Sequence, residues 1–137
     1  MEEDPTDFPG SDDAACLLRL VYVSHATLPI SPTILRELEA VAVRRNAEAG
    51  ITGLLIAQAP YFYGVMEGEQ GPLLDVMEVI ITDPRHRCLR ILSEEHARSR
   101  RFPDWRLFQL PDCQPTPLQR PPAPAFIFEL SHRLRTS

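Results

Sequence analysis

The sequence predicts an α+β fold: a mixed sheet carrying two helices on one face, in the order β-α-β-β-α-β-β, with a short helix in the C-terminal tail. Three observations predict it. Short runs of apolar and β-branched residues recur through the middle of the chain, as strands require. Two longer segments space their apolar residues for one face of a helix. Serine, proline and glycine punctuate the junctions between them.

The elements follow in order. Residues 1–15 are acidic, small and proline-containing, which predicts a disordered lead-in. Leu17 to Ser24 reads as strand one, with Leu18, Leu20, Tyr22 and Ser24 on one face by the period of two. Ser31 suits a helix cap and Pro32 its first turn. Helix one then runs to about Ala49 on a stripe of Ile34, Leu38, Val41 and Ala42, and Gly50 stands where a left-handed cap belongs. Ile51 to Gln58 is strand two, Ala59-Pro60 turns the chain, and Tyr61 to Glu67 is strand three. Gly68 to Gly71 should break that strand, and Pro72 should open helix two over Leu73, Val76, Met77 and Ile80. Asp83 to Arg87 is a charged loop, Cys88 to Glu94 strand four, and Trp105 to Leu110 strand five. The order is the ferredoxin-like pattern with one added strand, in a domain spanning 16–110. Six of the fourteen prolines then fall between Pro111 and Pro124, so 111–137 reads as a proline-rich tail. Within it Phe126, Ile127, Leu130 and Leu134 suggest a short amphipathic helix, able to dock on the open sheet face or on a second copy of the chain.

Composition narrows the function. With 137 residues one domain is expected. A net charge of −5 argues against nucleic acid or an acidic membrane as partner, since both select a basic face. The N-terminus is acidic where a secretory signal is basic then apolar, and no apolar run is long enough to span a bilayer, so a cytoplasmic protein is expected. Cys16, Cys88 and Cys113 fit neither a disulfide framework nor a zinc spacing and read as reduced thiols, with no metal site. No glycine-rich phosphate loop and no nucleophile beside a base is present, and Glu94, Glu95 and His96 alternate faces on a strand, so the chain does not read as an enzyme.

Five motifs go further. They are Leu18 to Ser24 (LRLVYVS), Asn46 to Leu55 (NAEAGITGLL), Phe62 to Gly68 (FYGVMEG), Asp83-Pro84-Arg85-His86, and Arg101 to Trp105 (RFPDW). Together, in this order and at this spacing from about Leu17 to Leu110, they resemble the BLUF family of flavin-based blue-light sensors. The resemblance implies a flavin ring lying between the two helices. Tyr22 would be the tyrosine that gives an electron and a proton to the excited ring. Ser24 would help bind nearby, and Asn46 would bond the ring's polar edge. Ile34 or Leu38, with a helix-two aliphatic, would pack on its faces. Arg85 and His86 would lie near the ribityl or phosphate end, and Trp105 would be the mobile tryptophan of strand five. Taken singly, each has an ordinary alternative: a half-buried strand tyrosine, a capping asparagine, a solvated arginine and histidine, a core tryptophan.

The resemblance also exposes a departure. The family's light switch is a glutamine on strand three, and that position here is Gly64. Phe62, Gly64 and Met66 share a face, so no slip of one residue restores it. Glycine can neither relay a proton nor bond a flavin. Arg45 also stands where the family usually has asparagine or histidine, and Leu107 where many members carry methionine. Two readings follow. One is a flavin-binding sensor that signals by noncovalent contact with a partner protein, its photocycle in question at Gly64. FAD would be the cofactor, with FMN or riboflavin as alternatives, and the chain would form a homodimer or higher homo-oligomer. The other is a degenerate interaction module without light sensing and without flavin.

Overall fold

A computed structural model describes residues 17–27, 29–111, 127–129 and 132–133. The elements are β1 (Leu17–Ala26), α1 (Pro32–Ala49), β2 (Thr52–Gln58), β3 (Tyr61–Glu69), α2 (Gln70–Ile81), β4 (His86–Ala97) and β5 (Trp105–Gln109). Residues 127–129 and 132–133 are helical as well. The five strands form one sheet in the order β4-β1-β3-β2-β5, antiparallel except for the parallel β2–β5 pair. This is the α+β, mixed-sheet architecture expected.

The start and end of α1 follow from local chemistry. The Ser31 side chain accepts a hydrogen bond from the Ile34 amide, and Pro32 sits at the first helical position, where its missing N–H costs nothing. Gly50 closes the helix at φ 71°, returning its amide to Ala47 and Asn46 carbonyls. The buried face of α1 is Leu35, Ala42 and Asn46, with Leu38 packed beside them. The expected stripe was rotated relative to this. Ile34 is only half-buried and Val41 is 61% exposed, because the helix turns Leu35 rather than Ile34 onto the sheet.

The expected break at Gly68 to Gly71 does not occur. Gly68 and Glu69 remain paired with Leu18 and Leu17, so β3 runs on to Glu69 and α2 begins at Gln70, before Pro72. Its buried stripe is Leu73, Val76, Met77 and Ile80, as the spacing predicted. β4 is longer than expected at both ends.

The sheet buries both faces. Leu18, Leu20, Tyr22, Leu55, Phe62 and Met66 meet the helices. Val21, Val23, Leu54, Ile56, Tyr63 and Val65 point the other way and gather Phe102 and Ile127. Ile127 is fully buried there with Phe128 packed beside it, so this short helical piece docks on the face the helices leave open. Of the other residues of the expected tail helix, Phe126, Leu130 and Leu134 lie outside the described residues, as do 1–15, Cys16 and Cys113.

One glycine in the core is required by space. Gly53 has φ 143°, and a Cβ there would lie 1.9 Å from the Val65 carbonyl oxygen. Its amide donates to the Asp104 carbonyl, which sets the start of β5 beside β2.

Candidate functional site

A row of residues crosses the sheet on its helix-covered face. Tyr22 of β1 is opposite Gly64 of β3, Gly64 opposite Leu55 of β2, and Leu55 opposite Leu107 of β5. Above this row, between α1 and the end of α2, lies a narrow, partly open cleft with a cavity of about 60 Å³. Its walls are mainly apolar: Leu38 and Val41 from α1, Ile80 from α2, Leu55, Phe62 and Met66 from the sheet, and Trp105 from β5. Polar groups gather at its rim: Arg45, Asp83, Arg85 and His86, with Tyr22 on the floor.

Tyr22 is buried, and burial pushes its hydroxyl up to about 12, with the positive charge of Arg45 pulling the other way. Its ring lies against Gly64. A Cβ built at Gly64 would meet Tyr22 ring carbons at 2.2 and 2.3 Å and the hydroxyl at 2.7 Å. The tyrosine therefore occupies the volume that a side chain at position 64 would claim.

Ser24 and His86 form a pair. His86 Nδ1 is 2.6 Å from Ser24 Oγ, and Nε2 faces the Ile80 carbonyl. A carbonyl only accepts, so Nε2 carries a proton, and in the neutral ring Nδ1 accepts from the serine hydroxyl. This pair ties the end of α2 to β1 and β4. Arg85 is held by Asp83, side chain to side chain at 2.8 Å and amide to carboxylate at 2.9 Å.

Asn46 is fully buried in the last turns of α1. Its Oδ1 accepts from Arg45 Nε at 3.3 Å, and its Nδ2 has no hydrogen-bond partner among the described residues. An unpaired buried amide costs about 1–3 kcal/mol, so a donor left this way beside a cleft points to a ligand acceptor. Arg45 is half-buried, and desolvation lowers its pKa.

The residues singled out in the sequence thus separate. Tyr22, Leu38, Arg85, His86 and Trp105 line the cleft, and Gly64 lies beneath Tyr22. Asn46 stands one residue from the cleft-lining Arg45. Ile34 is not among the lining residues: it shares the helix face of Leu38 but stands one turn nearer the start of α1, and the Ser24 hydroxyl is engaged by His86. Gln58, at the end of β2, donates to the Pro111 carbonyl.

Sequence reasoning missed a second polar centre, on the tail-covered face. Glu67 is 1% exposed. Its carboxylate accepts from Arg19 Nε at 2.6 Å and from the amides of Arg101 and Phe102 at 2.9 and 3.0 Å. Arg19 reaches on to Glu95 and the Ser99 carbonyl. Arg100 bonds Thr52 and the carbonyls of Glu67 and Gly50. The loop leading into Trp105 is thereby anchored to β1, β2 and β3. The only sequence signal was an acid placed inside an otherwise apolar strand.

Residues 17–108 match the family described as "BLUF: Sensors of blue-light using FAD". Among curated relatives, a photoactivated adenylate cyclase subunit beta of Euglena longa is 36% identical over 100 residues, 72% of this chain but 12% of that protein. The blue light- and temperature-regulated antirepressor BluF of Escherichia coli is 30% identical over 63% of this chain and 21% of its own length. The chain thus spans a small part of these relatives. Among solved structures, BlrB in its dark state superposes with a TM-score of 0.64 at 29% identity, covering 70% of this chain and 74% of that one. Klebsiella pneumoniae BlrP1 with FMN and cyclic diGMP gives 0.63 at 32% identity, over 68% of this chain and 26% of that one.

Proposed function

The chain belongs to the BLUF family, sensors of blue light using FAD, and from that premise we propose that it binds a flavin between α1 and α2 as a BLUF-type sensory module in which Gly64 leaves the light switch without its relay side chain. The observation that carries the binding site is Asn46: a fully buried amide whose Nδ2 has no partner among the described residues, next in sequence to Arg45, which lines the cleft.

The lining matches the group in chemical character. A flavin is a flat apolar ring system with one edge of carbonyls and ring nitrogens. Leu38 and Ile80 stand on opposing helices to pack on such a ring. Asn46 Nδ2 supplies a donor for its polar edge. Arg85 would meet a ribityl or phosphate group with the guanidinium donors that Asp83 does not take, while His86, both of whose ring nitrogens are engaged by Ser24 and Ile80, would line that end. The bound flavin would supply blue-light absorption and an acceptor for an electron. Tyr22, buried and protonated below about pH 12, would supply the electron and proton. FAD is the proposed form, with FMN or riboflavin as substitutes. The output would pass by noncovalent contact through Trp105, β5 and the docked tail to a partner protein or a second copy of the chain, in the cytoplasm.

A second reading is favoured by one observation. The Tyr22 ring occupies the space above Gly64, so no side chain there can relay a change from tyrosine to cofactor. On this reading the chain is an interaction module without a light response.

FAD titration of the purified protein, followed by flavin fluorescence, tests the binding site. The expected result is saturable binding that Asn46→Ala weakens about tenfold or more, for loss of one buried hydrogen bond. A folded wild-type protein that takes up no flavin contradicts the sensor reading and leaves the interaction module.

A further inference from the structure

We propose that the free edge of β4 is a self-association surface, on which a second copy of the chain pairs antiparallel through its own β4 about a two-fold axis at Ile91. This surface is separate from the cleft and needs no bound flavin.

β4 ends the sheet, with β1 its one strand neighbour among the described residues. It runs for 12 residues, His86–Ala97, against 5 for β5 at the other edge. An edge strand leaves alternate N–H and C=O groups open to pairing with another chain, and β4 contains no proline to block it. Charge on an edge normally keeps other strands away. In β4 the charge is sorted by sign: Arg87 and Arg90 stand in the first half, Glu94 and Glu95 in the second. An antiparallel copy lays the first half of one strand against the second half of the other, so β4 is complementary to itself.

The pairing of β4 with β1 fixes where the axis falls. Arg87 lies opposite His25, Ile91 opposite Tyr22 and Glu95 opposite Arg19. Along β1, Tyr22 stands three positions from His25 and three from Arg19, and the two irregularities of β4 fall one on each side of Ile91. Arg87 and Glu95 are therefore equally far from Ile91. Both lie on the tail-covered face, since His25 and Arg19 alternate with Tyr22 in the same phase as Val21 and Val23. A two-fold at Ile91 sets Arg87 of each copy opposite Glu95 of the other, giving two ion pairs on that face. On the other face Ile91 meets its own copy. It is 44% exposed in the single chain, so pairing takes an apolar side chain out of water. Arg87 is exposed and has no ion pair among the described residues. Glu95 is exposed too, and accepts from Arg19 through Oε1, but a carboxylate takes further donors.

The experiment is sedimentation velocity on the full chain over a concentration series, for wild type, Arg87→Glu, Glu95→Arg and an equimolar mixture of the two variants. Wild type should dimerise. Each variant alone sets like charges opposite each other and should weaken the dimer about tenfold or more. The mixture should restore it, because one copy then offers two acids and the other two bases. Ile91→Lys alters neither charge and should weaken the dimer by itself, so the outcome does not hang on the folding of Glu95→Arg beside Arg19. Amide exchange should slow along β4 as protein concentration rises and stay unchanged along β5. A wild type that remains monomeric overturns the proposal. So does a dimer unchanged in Arg87→Glu and Ile91→Lys, a mixture of two folded variants that stays apart, or concentration-dependent protection on another element.

Discussion

At the scale of single residues, the site turns on the contact between Tyr22 and Gly64. The atoms that a Cβ at position 64 would meet are the far end of the Tyr22 side chain, not backbone. A side chain at 64 therefore displaces the tyrosine ring without breaking the sheet. Gly64→Gln should fold, with a stability change within about 1–3 kcal/mol from local overpacking. In the flavin-loaded protein it should add a reversible light-induced red shift to the absorbance, read as a light-minus-dark difference spectrum. Tyr22 has a second consequence. Its hydroxyl is held at about 12 in the fold, against about 10 in an unfolded chain. The raised value favours the protonated form in the folded state. The stability this gives is complete below pH 10 and is lost as pH rises to 12, roughly 2–3 kcal/mol in all. Urea unfolding across that window should show the loss in wild type and a smaller one in Tyr22→Phe. Tyr22, Gly64 and their shared face were legible in the sequence, because strand alternation is rigid. The direction of Arg45 was not, because on a helix a residue at the border of the buried face goes wherever its hydrogen-bond partner holds it.

At the scale of elements, β3 joins the two faces of the sheet. Gly64 and Met66 face the cleft, while Glu67 faces the other way and holds the loop before Trp105. Glu67→Gln should cost about 3–5 kcal/mol in urea unfolding, since it removes the charge that a buried Arg19 depends on. It should also loosen the start of β5, seen as faster hydrogen exchange at Trp105 and Arg106. A cost below 1 kcal/mol would show that Glu95, the other partner of Arg19, suffices. The bounds of α1 were legible because Ser31, Pro32 and Gly50 each act through their own backbone. The junction of β3 and α2 was not. Gly68 and Gly71 read as a break, but pairing of Gly68 and Glu69 with β1 overrides local preference. The burial of Glu67 escaped notice for a similar reason: its partners lie on β1 and in a loop far along the chain.

At the scale of the molecule, the helices and the tail cover opposite faces of one sheet, so a change at the cleft and the docking of the tail share the same strands. Ile127→Ala should cost about 2–5 kcal/mol, as a buried aliphatic lost from the second core does. An unchanged urea midpoint would mean that the tail's contact adds nothing to the fold. The measurement that tests the central claim most directly is the absorbance spectrum of the wild-type protein loaded with FAD, before and after blue light. The account predicts a bound flavin band that shows no reversible red shift, because Gly64 leaves Tyr22 without a relay. A wild-type band that shifts red and recovers in the dark would contradict the role given to Gly64, and a folded protein with no flavin band would contradict the site itself.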